Sequence, residues 1–287
     1  MRFQAPSAVV GGLMHGITGV DHPVIAVRSL DAARQNFERL GFTLSGRGAH
    51  QEWGTGNSCI MFPHDYLELT GILDPRRYTH NLGEFLKMRE GLVGVAFGTK
   101  DAEMTFQSLV AAGIAVKPVG EVTRNLETSA GIRQPRFKVC FLDRAETPGL
   151  PSTAICEHLT PELLRNPEEL RHRNSAFRIV SITVPVPDFD AAIHSYRKLF
   201  GGDLVRCAGT CVEARTGRGA VIRLVSEPGL EHLELAVTDI GAVRESLENS
   251  PVHFTAPSRG ALRLGPESTC GLIVDFVEKR ESTWIAV

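Results

Sequence analysis

The chain has almost no charge of either sign to spare. Its 31 Lys and Arg stand against 33 Asp and Glu, for a formal net charge of −2. A balance this close creates no field that could hold a polyanion, so neither nucleic acid nor an anionic membrane surface is an expected partner. No apolar run approaches the roughly 18 residues of a membrane helix. The opening residues carry Arg2 but no sustained apolar stretch, so no secretory leader is expected. The six cysteines, Cys59, Cys140, Cys156, Cys207, Cys211 and Cys270, contain no C-x-x-C pair. That spacing excludes a zinc ribbon and a thioredoxin-like redox site, and leaves buried free thiols of a reducing, cytoplasmic compartment. Also missing are the G-x-S-x-G elbow, the G-x-x-x-x-G-K-[ST] loop, a G-x-G-x-x-G turn after a strand and an H-E-x-x-H helix. The short basic cluster Arg171-His172-Arg173 reads as a solvated helix end.

What the chain does have is length, an ordinary apolar content and a repeat. Its 287 residues are 43% apolar, enough to bury a sizeable core without disulfides. One segment runs His22-Pro23-Val24-Ile25-Ala26-Val27, then Leu30-Asp31-Ala32-Ala33, Phe37 and Leu40-Gly41-Phe42. Another runs Ile182-Thr183-Val184-Pro185-Val186, then Phe189-Asp190-Ala191-Ala192, Tyr196 and Leu199-Phe200-Gly201. Each is an apolar strand, an acidic helix start, apolar residues at three- and four-residue spacing, and a glycine stop. Weaker copies begin at Leu92–Phe97 with Asp101 and at Leu233–Val237 with Asp239. Short alternating strands follow each helix. A strand, a helix and three strands, four times over, is α+β architecture and not a doubly wound sheet. Thr160-Pro161-Glu162 has the form of a helix start. The expected division is therefore residues 1–160, a linker helix over 161–175, and residues 176–287.

Four βαβββ units in two pairs resemble the vicinal-oxygen-chelate superfamily, which includes glyoxalases, extradiol dioxygenases and bleomycin-resistance proteins. Asp21-His22-Pro23-Val24 resembles the first strand of a glyoxalase-like domain, His50 to Asn57 its second-strand turn, and Tyr66-Leu67-Glu68-Leu69 its fourth strand. The resemblance implies two paired glyoxalase-like domains with cupped mixed sheets. It also implies a divalent metal ion (Zn, Fe, Mn or Ni) and a small substrate with vicinal oxygens. By that resemblance His22 and Glu68 are metal ligands, and a third comes from His158 or Glu157, which point to opposite faces of one strand. Strand alternation supports Glu68, because Leu67 and Leu69 face the helix while Tyr66, Glu68 and Thr70 face a cavity.

His50 is a candidate general acid–base with Glu68. Thr55, Asn57 and Arg136 are candidate substrate contacts, with Arg133 beside them. The Gly-Thr-Gly-Asn run over 54–57 is also a plain turn signal, with Gly54 and Gly56 free to take positive φ. The second unit's first strand has no ligand-type side chain. The second pair offers Ser181 and Arg223, then His232 and Asp275, which read as structural couples. Two functions stay open: a metal-dependent isomerase, lyase or dioxygenase, and a small-molecule binding or sequestering protein without turnover. A homodimer is expected in either case.

Overall fold

A computed structural model describes residues 14–208, 210–217 and 220–280. The leader expectation concerns opening residues that lie outside this range. The first unit consists of β1 (Ile17–Ala26), α1 (Leu30–Arg39), β2 (Gly48–His50), β3 (Thr55–Met61) and β4 (Tyr66–Ile72). A short helix, α2 (Leu82–Met88), leads into the second unit. That unit contains β5 (Gly91–Thr99), α3 (Ala102–Ala111), β6 (Gly120–Thr128), β7 (Gly131–Arg133), β8 (Arg136–Phe141) and β9 (Thr153–His158). The third holds β10 (Ala176–Pro185), α4 (Phe189–Phe200), β11 (Val205–Ala208), β12 (Cys211–Arg215) and β13 (Val221–Val225). The fourth holds β14 (His232–Val237), α5 (Ile240–Glu248), β15 (Phe254–Thr255), β16 (Ala261–Leu264) and β17 (Ile273–Glu278). No helix among the described residues is long and apolar enough to cross a membrane.

The four long helices start on side-chain caps. Ser29, Asp101, Asp188 and Asp239 each accept from a backbone N–H of the first turn, which satisfies donors the helix itself leaves free. Asp31 and Asp190, expected at the helix starts, lie in the first turns and favour the dipole without capping. Gly41 and Gly201 follow their helices with φ of 90° and 95°, a conformation that penalises other residues.

The strands form two sheets. The first runs β2-β3-β4-β1-β5-β9-β8-β6-β7, and β2 also pairs with β6, which closes it into a barrel of eight strands with β7 appended. A barrel of that size is just wide enough to hold one small ligand. The second runs β11-β12-β13-β10-β14-β17-β16-β15 and carries no such closing pair among the described residues. At the centre of each sheet the first strands of the two units run antiparallel, β1 with β5 and β10 with β14. The helical faces of both sheets share one continuous core. Phe42 stacks on Phe276 and Phe97 meets Phe200 edge-on across the two halves; each buried phenylalanine contributes about 2–3 kcal/mol of transfer free energy.

The linker is not a helix. Only Pro161–Leu163 forms a single 3-10 turn, and the Thr160 hydroxyl accepts from the Arg136 N–H instead of capping it. Pro167 explains the stop, since it lacks an N–H and forces Asn166 out of the helical region. The linker instead lies along the barrel. Leu164 packs on Ala96, Phe137 and Cys156, and Leu170 packs on Cys59, Met61 and Tyr66. His172, expected in solvent, takes a bond from the Thr43 N–H and contacts the Met61 carbonyl. It also meets Phe42 and Phe62 edge-on.

Candidate active site

The barrel encloses a cavity of about 160 Å³. Counting seven residues back from each helix cap gives its layout. The count reaches His22, Gly94, Ser181 and His232 in the four units. Two residues further on, Val24, Ala96, Thr183 and Glu234 pair in parallel with Glu68, Ala154, Arg223 and Asp275 of each unit's last strand. The four units thus offer four equivalent pairs: His22–Glu68, Gly94–Ala154, Ser181–Arg223 and His232–Asp275. The second unit's last-strand position is Ala154 and not Glu157. Glu157 points to the opposite face, where its carboxylate accepts from the Ala102 N–H at the start of α3.

His22 and Glu68 are both buried in the cavity wall, with His22 Nε2 3.2 Å from Glu68 Oε2. Tyr66 stacks on the imidazole at 4.3 Å and fixes its plane. His22 Nδ1 lies 2.8 Å from Asp21 Oδ2, and the same oxygen lies 2.9 Å from His158 Nε2. Neighbouring residues of a regular strand face opposite ways, but β1 has a register shift between Val20 and His22. Such a bulge re-aims a side chain, and here it brings Asp21 beside His22. His158 therefore reaches His22 only through Asp21. Among the described residues, the ligand-type atoms that converge within 4.8 Å are those of Asp21, Cys156 and His158, a set different from the expected His22, Glu68 and His158.

Glu68 is held from several sides. Its Oε1 accepts from Asn57 Nδ2 at 3.1 Å and from the Thr70 hydroxyl at 2.6 Å. Burial alone would raise the Glu68 carboxyl, but the contact and charge of His22, then His50 and Thr70, hold it below the usual range. Burial alone would lower His22, but its contacts with Asp21 and Glu68 hold it up at about 9. Asp21 is depressed in spite of burial, by His158 first and then His22. His50 is pulled down by burial and by Arg124, against Glu68. Its Nδ1 lies 2.9 Å from the Thr55 hydroxyl and 3.2 Å from the Thr55 carbonyl. That network assigns the Nδ1 proton and leaves Nε2 as an acceptor, 3.5 Å from Asn57 Nδ2.

In the Gly-Thr-Gly-Asn run Thr55 to Asn57 are strand and Gly54 is the bend before it, and neither Gly54 nor Gly56 has positive φ. Its glycines permit close approach: a Cβ would lie 2.1 Å from the Asp74 carbonyl oxygen at Gly54, and 2.6 Å from that of Gly48 at Gly56. Arg136 and Arg133 are not at the cavity. Arg136 is exposed and pairs with Glu121 at 2.8 Å, and Arg133 is exposed on β7. The cation at the cavity is Arg124 on β6, 3% exposed, which the sequence reading missed. Its signal was an arginine two residues from Val122 and two from Leu126, on the inward face of one strand.

A family model of the glyoxalase-like domain matches residues 20–200, well over half of the chain. The chain belongs to that family. Solved structures agree on the fold. A hypothetical protein from Staphylococcus aureus superposes with a TM-score of 0.67 at 13% identity, covering 91% of this chain and 99% of its own. A variant of 4-hydroxymandelate synthase from Streptomyces coelicolor gives 0.57 at 13% identity, over 92% and 93%. A variant of homoprotocatechuate 2,3-dioxygenase from B. fuscum gives 0.56 at 14%, over 96% and 75%. No curated protein matches the sequence. The architecture is that of the vicinal-oxygen-chelate superfamily.

Proposed function

We propose that this protein is a metal-dependent enzyme of the vicinal-oxygen-chelate type, acting on a small substrate in the first barrel. The observation that carries this reading is the His22–Glu68 pair on one cavity wall with Asp21 behind the histidine. The donor set fits a divalent ion. Two ligands each about 2.1 Å from one ion lie roughly 3.0–3.4 Å apart when adjacent, and Nε2 and Oε2 are 3.2 Å apart. A ligating histidine also gives its other ring N–H to a carboxylate, as His22 does to Asp21. His22 and Glu68 would hold the ion, and Asp21 and His158 would orient His22. Gly94 and Ala154 at the equivalent positions of the second unit offer no ligand atom, so adjacent oxygens of a substrate would complete the ion's shell.

When bound, the ion supplies Lewis-acid stabilisation of charge on a chelated oxygen. His50 offers a neutral Nε2 that can take a proton from a bound substrate and return it. Thr55 holds its ring and Asn57 orients both Glu68 and the reacting group. The apolar walls exclude water. Residues 1–160 and 176–287 as two units, a cytoplasmic location and a homodimer belong to the same reading.

Titration of chelator-treated protein with Mn2+, Zn2+, Fe2+ and Ni2+ tests it, with free Mn2+ read by electron paramagnetic resonance. Near-stoichiometric uptake by the wild type, lost in His22→Ala and in Glu68→Ala, is the expected result. A wild type that binds none of the four ions sinks the reading.

A further inference from the structure

Two buried polar atoms of cavity-lining side chains have no hydrogen-bond partner. Arg124 Nη1 donates to Asn57 Oδ1 and to Cys59 Sγ, each at 3.3 Å. Its Nε is buried and has no partner. The carboxylates of the same cavity are engaged elsewhere, Glu68 with His22, Asn57 and Thr70, and Asp21 with two histidines. Arg124 therefore forms no ion pair among the described residues. A buried donor without a partner costs about 1–3 kcal/mol, more when charged, and such a donor calls for a partner, a water or a ligand, that the chain itself does not supply.

The second group is His80. It lines the same cavity, and its Nε2 is likewise buried without a partner. His80 and Asn81 have φ of 52° and 60°, a costly backbone for such residues that is typical of ligand clamps. Packing fixes the ring: Trp53 meets it edge-on at 4.1 Å and Phe141 lies at 5.0 Å. Much of the remaining wall is apolar, from Val93, Val122 and Val139 among others. Gly48 keeps Arg124 in place, since a Cβ there would lie 2.6 Å from Arg124 Cδ and 2.2 Å from Asn57 Oδ1.

We infer that the cavity binds a small monoanion, an apolar body no larger than one ring bearing a carboxylate-type oxygen that accepts from Arg124 Nε. The volume agrees, because an apolar cavity of about 150 Å³ accommodates benzene. The apolar body lies against Trp53 and Phe141, and His80 Nε2 meets a second polar atom of the ligand. This rests on the reading that the barrel is the substrate site, but it does not need the metal.

The test uses chelator-treated full-length protein, titrated calorimetrically with benzoate and with its neutral analogue benzamide. The wild type is expected to bind benzoate about 10- to 100-fold more tightly. Arg124→Met should abolish that preference, Arg124→Lys should keep part of it, and His232→Ala, in the second sheet, should keep it. Equal affinity for the two compounds, no benzoate binding, or a preference that survives in folded Arg124→Met overturns the inference. Should Arg124→Met not fold, the wild-type ratio decides. The metal titrations are read separately, so the two proposals can fail independently.

Discussion

The two halves of this chain have one plan and opposite interiors. In the first, the equivalent positions are His22–Glu68 and Gly94–Ala154: one polar pair, and facing it two residues too small to fill space. In the second they are Ser181–Arg223 and His232–Asp275; Ser181, Arg223 and Asp275 all have hydrogen-bonded partners, while His232 Nε2 lies beside Asp275 without forming a hydrogen bond. Arg223 bonds Ser181, Glu213 and Glu234. Arg263 takes both oxygens of Asp275, at 2.7 and 2.8 Å, and His232 Nε2 lies 3.0 Å away. Guanidinium groups thus satisfy the carboxylates of the second sheet. In the first, the guanidinium is left incomplete and the space beside it is open. A site is kept by withholding partners as much as by supplying ligands.

The largest expected effect breaks that comparison directly. His22→Ala should lower metal affinity by about 100-fold or more, since it removes one of two protein ligands. His232→Ala should leave affinity within about twofold; equal losses in calorimetric titrations would abolish the distinction between the halves. Outer-shell changes come next: Asp21→Asn and His158→Ala should each cost about 10- to 100-fold in the same titration. Ala154→Glu sharpens the contrast from the other side. It places a carboxylate where the repeat has lost one, and should raise Mn2+ affinity about tenfold. In the second half Asp275→Ala should act on stability instead, by about 1–3 kcal/mol in chemical denaturation, because it strands His232 and Arg263.

The smallest effect concerns Asp65, buried between the halves where it accepts from the Ile179 N–H. Burial pushes its carboxyl up to about 7. A raised acid contributes its full stability below the unfolded value near 3.8 and loses it as pH rises through about 7. Between pH 6 and 8 the wild type should lose a few degrees of Tm that Asp65→Asn does not lose, at about 2–4 °C per kcal/mol.

The fold was legible in the sequence because it rests on local signals that do not depend on neighbours: caps, amphipathic helices and glycine stops. The strand ends were less so. β6 and the hairpin strand β7 depend on which chains lie alongside, and α2 is a short helix that packs on β1 and β4. In the site, His22, His50, Asn57 and Glu68 were readable from the resemblance to a glyoxalase-like domain, with strand alternation in support of Glu68. Asp21 was not, since a bulge set by pairing with β5 aims it. Glu157 and Ala154 lie three residues apart on one strand, and only the register against β5 tells which sits opposite the cavity. Arg136 and Arg124 differ in the same way: Arg136 opens β8 and Arg124 lies midway along β6, and closure of the barrel put only Arg124 inside.

Two of the linker's three leucines bear on how this chain can be divided. Leu164 and Leu170 pack against side chains of the cavity face, among them Ala96, Cys156 and Tyr66. The boundary in sequence is therefore a wall in space. A fragment ending at residue 160 would keep every group proposed for chemistry and lose the packing that holds several of them. Protease nicking between residues 163 and 171 would report on occupancy of a cavity that the protease never enters.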